Sequence, residues 1–137
     1  MEKILVVYYS TTGNTQSMAD YICEGIREAG AEVECVDASS YPAVDGYTKI
    51  AFGCPAMGAE TLEESVFEPY FESVEDLLGG KNVALFGSYG WGDGQWMRDW
   101  QDRVTGKGAT LFEEGLIVNG APEGDECKEF GSRFAAL

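Results

Sequence analysis

The stretch KILVVYYSTTGNTQSMADYICEGIREAGAEVECVD, residues 3–37, carries the reading of the fold. Residues 3–10 form an apolar, β-branched run, the pattern of a strand buried on both faces. Residues 15–29 then place Met18, Ile22, Ile26 and Ala29 on one stripe at helical spacing. Gly30 stands where a helix-ending glycine belongs. Residues 32–37 alternate Val33 and Cys35 with acids, Val36 beside them, and read as a second strand nearer a sheet edge. Strand, helix and strand in this order form a βαβ unit.

The alternation continues outward. Residues 39–46 read as a loop broken by Pro42 and Gly46. Residues 47–54 predict a third strand. Residues 62–78 predict a helix with Val66, Tyr70, Val74 and Leu77 on its apolar side. Pro69 should end or kink its first turn, and Gly79-Gly80 should stop it. Residues 82–87 predict a fourth buried strand, and residues 95–105 a helix carrying Trp96, Trp100 and Val104. Residues 110–118 predict a fifth strand without interruption. Residues 123–137 predict a closing helix with Cys127, Phe130, Phe134 and Leu137 on one face. Repeats, low-complexity tracts and linkers are lacking, so residues 1–137 are expected to form one domain. The class is α/β, a doubly wound parallel sheet with helices on both faces. Ligands bind such sheets beyond the C-terminal strand ends, where strand order reverses.

Composition narrows the function. Nine basic residues face 24 acidic ones, a net charge of −15. Such a surface repels nucleic acid and anionic membranes and attracts basic patches on proteins; it also favours solubility. Histidine is absent, which removes the commonest general base and metal ligand. Cys23, Cys35, Cys54 and Cys127 show no C-x-x-C spacing, so zinc and iron–sulfur sites are not expected. Cys23, Cys35 and Cys54 sit among apolar residues and read as small buried thiols. The longest apolar runs are too short to span a bilayer, and a basic leader with a cleavage site is lacking. A cytoplasmic protein is expected, and disulfides are not.

Three segments sit at C-terminal strand ends. Ser10-Thr11-Thr12-Gly13-Asn14-Thr15 offers backbone N–H groups at a helix start, four hydroxyls and one amide. It lacks the Lys of a triphosphate loop and the G-x-G-x-x-G of a dinucleotide site. A neutral cradle suits one phosphate monoester; a plain strand–helix turn is the equal alternative. Cys54-Pro55-Ala56-Met57-Gly58-Ala59-Glu60 fails as a C-x5-R phosphatase loop because residue 60 is Glu. It offers a thioether face, a flexible peptide and an acceptor, or else an ordinary glycine turn. Ser88-Tyr89-Gly90-Trp91-Gly92-Asp93-Gly94 sets two aromatics among glycines, either against a ligand or as a lid over the core. Together the three suit a flat aromatic ring with a phosphate tail. None supplies a base, a nucleophile or a metal site.

Y-S-T-T-G-N-T, G-C-P-A-M-G-A-E and G-S-Y-G-W-G-D-G resemble the three FMN loops of short-chain flavodoxins of the clostridial type. The resemblance covers the whole chain. It implies a flavodoxin-like sheet of five strands in the order 2-1-3-4-5; flavodoxin is itself a worked example of the switch-point rule, so this order is borrowed. It implies non-covalent FMN and one-electron shuttling at low potential between redox enzymes, by a monomer whose partners carry basic docking patches. By position, Ser10, Thr11, Thr12, Gly13, Asn14 and Thr15 would hold the phosphate, with Ser88 assisting. Met57 would cover the inner flavin face and Trp91 the outer, within a rim of Pro55, Ala56, Tyr89, Gly90 and Gly92. Gly58 would face flavin N5, Ala59 would complete that turn, Glu60 would accept from N3–H, and Asn119 would border the ring. Thr11 and Ala59 depart from the family pattern, where Gly and Asp are frequent. An FMN-dependent quinone or nitro-compound reductase is the alternative on the same fold. A phospho-acceptor receiver is excluded, because Ser10-Thr11-Thr12 stands where that chemistry needs acids.

Overall fold

Strand β1 (Lys3–Tyr8) pairs with a neighbour along each edge, and its residues Ile4–Val7 are buried under helices on both faces of the sheet, which is why its run is apolar. In the computed structural model, which describes residues 3–58, 60–90 and 92–137, it leads into α1 (Asn14–Glu28) and β2 (Glu32–Asp37). Then come β3 (Lys49–Gly53), α2 (Phe67–Val74), β4 (Asn82–Tyr89), α3 (Gln95–Gly106), β5 (Thr110–Leu111), β6 (Leu116–Asn119) and α4 (Gly124–Ala135). The sheet is parallel in the order β2-β1-β3-β4-β5, with β6 also on β4.

Side chains alternate along each strand and divide the core into two layers. Leu5, Val7, Ile50, Phe52, Val83 and Leu85 meet Phe67, Tyr70, Phe71, Trp96 and Trp100 of α2 and α3. Ile4, Val6, Ala51, Ala84 and Phe86 meet Met18, Ile22, Ile26, Phe130 and Phe134 of α1 and α4. Helices thus cover both faces, as a doubly wound sheet requires. Strand β2 exposes Glu32, Glu34 and Asp37 and half-buries Val33, Cys35 and Val36, as an edge strand should. Helix α1 ends in a Schellman motif: Gly30 has φ 92°, its N–H donates to Arg27 O, and the Ala31 N–H donates to Ile26 O.

Three expectations need correction. Helix α2 begins at Phe67, not at residue 62. The Glu63 carboxylate accepts from the N–H groups of Ser65, Val66 and Phe67, so the helix starts beneath that cap. Pro69 then lies in the first turn, whose N–H groups need no intrahelical partner, and it breaks nothing. The helix tightens to a 3-10 turn at Glu75–Leu77, which turns Leu77 outward at 51% exposure and buries Leu78. The fifth strand is interrupted. Asn82 pairs with Thr110 but Phe86 with Leu116, so the separation grows from 28 to 30 and two extra residues bulge out. Glu113 takes φ 52° within that bulge. Last, Leu137 lies beyond α4 and is exposed rather than on its apolar face.

Candidate functional site

The C-terminal ends of β1, β3 and β4 open into one cleft of about 200 Å³. Thr11, Thr12 and Asn14 line it from the first loop, Pro55, Ala56 and Met57 from the second, and Ser88, Tyr89 and Gly90 from the third. It lies where strand order reverses between β1 and β3. Backbone hydrogen bonds tie the loops together beneath it: Tyr9 N–H to Gly53 O, Cys54 N–H to Phe86 O and Ala56 N–H to Ser88 O. The Thr15 hydroxyl, buried, accepts from the Ser88 N–H at 3.4 Å and joins the first loop to the third.

One end of the cleft is built for an anion. Gly13 caps α1 with φ 96°, a conformation glycine adopts freely, and its N–H donates to Ser10 Oγ at 3.0 Å. Among the described residues no side chain caps α1, and its first turn carries no acid. Helices α2 and α3 differ, because Glu63 and Glu60 occupy their N-terminal N–H groups. The end of α1 therefore presents unused donors and a positive dipole end to the cleft. Thr11 and Thr12 add exposed hydroxyls beside it. The other end is apolar, with the Met57 side chain and the Tyr89 ring, the latter packed at 5.6 Å from Trp96.

The remaining predicted residues are placed differently. Ser88 Oγ donates to Gly120 O at 2.7 Å. Met57 and Thr61 exchange backbone hydrogen bonds and close a tight turn, in which Gly58 takes φ 38°. Gly58 and Glu60 line two neighbouring hollows rather than the cleft. The Glu60 carboxylate accepts from Asp93 N–H at 2.8 Å and Trp96 N–H at 3.2 Å, tying the second loop to the third. Gly92 packs so close to that carboxylate that a Cβ there would stand 1.8 Å from Glu60 Oε1. Asn119 is exposed at the end of β6. Ala59 and Trp91 lie outside the described residues. Gly120 lines the cleft and was not among the predicted residues. Its signal was the Asn119-Gly120 pair that closes β6, a turn mark at the correct sheet end.

Cys54 cannot serve as a nucleophile here. It is fully buried, and burial pushes its thiol far up. Among the described residues no group of His, Cys, Asp and Glu could hold a metal ion.

A family model described as flavodoxin matches residues 6–131. The chain belongs to the flavodoxin family. The flavodoxin of Clostridium beijerinckii is 46% identical over 136 residues, covering 96% of this chain and 99% of its own. That of Megasphaera elsdenii is 45% identical over 132 residues, covering 95% and 96%. The solution structure of the two-electron reduced Megasphaera elsdenii flavodoxin superposes with a TM-score of 0.90 over 98% of this chain. The chain is thus of the short-chain type, an FMN-binding electron-transfer protein and not an enzyme. No helix among the described residues is long and apolar enough to cross a membrane.

Proposed function

We propose that the cleft between the three loops seats FMN, with its phosphate at the start of α1 and its ring over Met57. The observation that carries this is the end of α1, uncapped, free of acids and open to the cleft. Ser10, Thr11, Thr12, Gly13, Asn14 and Thr15 hold the phosphate by hydroxyl, amide and backbone dipoles, without a cation. Bound FMN supplies one-electron chemistry at low potential, and the protein binds it, orients it and excludes water. Met57, Pro55 and Ala56 cover the inner ring face, and Trp91 the outer. Tyr89, Gly90, Gly92 and Asn119 border the ring. Glu60 holds the second and third loops together and accepts from the ring N–H with a lone pair that its two backbone bonds leave over. The protein acts as a cytoplasmic monomer, and the acidic surface docks on basic patches of redox partner proteins.

Titration of flavin-free protein with FMN and with riboflavin tests this reading. One FMN should bind per chain, with riboflavin weaker by at least tenfold. Equal affinities would move the phosphate away from α1.

A further inference from the structure

We propose that Ser88 is a positioning residue of the cleft: its hydroxyl fixes the segment after β6 as a fourth wall and is not a ligand of the phosphate. The proposal rests on the reading that FMN sits in this cleft. Ser88 lies on β4, one residue before its end at Tyr89, and is 6% exposed. Each of its polar groups reaches a different wall. Its N–H donates to the Thr15 hydroxyl of the first loop at 3.4 Å, and its carbonyl accepts from the Ala56 N–H of the second at 3.1 Å. Its hydroxyl donates to Gly120 O at 2.7 Å.

The chemistry of the hydroxyl decides its role. A serine hydroxyl carries one proton, and a carbonyl only accepts, so that proton lies on the bond to Gly120 O. A phosphate dianion also offers acceptors only. To bind Ser88 it would have to take the same proton and leave the carbonyl without it. The Ser88 N–H is engaged as well. Thr15, by contrast, accepts from Ser88 and keeps its own proton for the anion. Gly120 needs the support. The β4–β6 ladder ends at the Tyr89–Asn119 pair. Beyond it Gly120 takes φ 75°, which glycine adopts freely, and its N–H donates to Tyr89 O at 2.9 Å. The Ser88 bond is thus a second clamp on a residue that lines the cleft. A wall held in this way serves every flavin that enters, with or without a phosphate.

Ser88→Ala in the full-length chain tests this. Amide exchange followed by NMR in flavin-free protein should be faster at Gly120 by roughly three- to tenfold, the worth of one hydrogen bond, and unchanged at Leu85 in the middle of β4. FMN and riboflavin should weaken by a similar factor, so that the ratio of their affinities stays that of the wild type. Ser88→Thr keeps the hydroxyl and should restore both readouts. In the wild type the Ser88 hydroxyl proton should exchange slowly enough to be observed, a measurement that needs no variant to fold. Loss of FMN binding with riboflavin spared would make the hydroxyl a phosphate ligand and overturn the proposal. So would unchanged exchange at Gly120 in Ser88→Ala, a Ser88→Thr no better than Ser88→Ala, or a Ser88 hydroxyl proton in rapid exchange. The exchange readouts need no flavin, so they separate failure here from failure of the FMN reading.

Discussion

Thr12 and Asn14 each bring one polar group to a helix end that no side chain among the described residues caps. A hydrogen bond to a charged partner contributes about 1.5–3 kcal/mol. Thr12→Ala and Asn14→Ala should therefore each weaken FMN by roughly 10- to 150-fold, as that energy converts. Riboflavin binding should change little, and calorimetry with both ligands reads the difference. Glu63 shows what a carboxylate does when it caps a helix. It is 5% exposed, and its oxygens accept from the Ser65 hydroxyl and from the N–H groups of Ser65, Val66 and Phe67. Burial pushes its pKa up, but the Ser65 hydroxyl and those N–H groups together hold it below the ordinary 4.5. Its contribution is present above pH 4.5 and fades as pH falls through the depressed folded value. Glu63→Gln should cost about 1–3 kcal/mol at pH 7. Denaturant unfolding of both proteins should show that gap narrowing as pH falls towards about 3, below the ordinary carboxylate range. The polar and glycine-rich loop residues were legible because each announces a local conformation or a hydrogen-bonding group. The work of Glu60 and Glu63 was not, because each caps a helix through contacts that the loop sequence alone does not specify.

At the scale of elements, the contact between α1 and α4 depends on two glycines. A Cβ on Gly25 would stand 2.0 Å from Lys128 O, and one on Gly131 would stand 2.2 Å from Ile22 O. Each helix thus lets the other's backbone approach through its missing side chain. Helix propensity alone would favour alanine by about 1 kcal/mol. Overpacking costs about 1–3 kcal/mol, and a backbone carbonyl gives way less easily than a side chain. Gly25→Ala and Gly131→Ala should each lower the denaturation midpoint, while Gly106→Ala, with nothing within 4 Å, should leave it level or raise it. A rise for Gly25→Ala would show that the helices part at no cost. Periodicity had marked α1, α3 and α4 because apolar residues recur on one face of each. It misplaced the start of α2 because Leu62 is buried without being helical. It ran β5 into β6 because the bulge preserves inside–outside alternation: two extra residues return each side chain to the same face. Gly115 in that bulge sits against Met97, where a Cβ would meet Sδ at 2.3 Å, a constraint visible only once α3 is in place.

Over the whole molecule, the net charge of −15 opposes adding an electron to any group in the cleft. That much was readable from composition. How the charge is distributed around the loops was not. Glu64 is exposed on the hollow beside Met57 and Gly58. Asp93, on the third loop, is paired with Arg98 at 3.1 Å, so part of its field is already cancelled. At roughly 12 Å and an effective dielectric of about 40, one unit charge changes the reduction free energy by about 0.7 kcal/mol. For one electron this is about 30 mV. Glu64→Gln should raise the midpoint potential of bound FMN by roughly that amount, because it removes a repelling charge. Arg98→Gln should lower it, because Asp93 then acts uncompensated, and the double variant should fall near the wild type. Both single shifts should shrink between about 0.02 and 0.5 M salt as the screening length shortens. Spectroelectrochemical titration at the two salt concentrations measures all four proteins. Shifts of equal sign, or shifts indifferent to salt, would mean that local packing of the loops, not the long-range field, sets the potential at these positions.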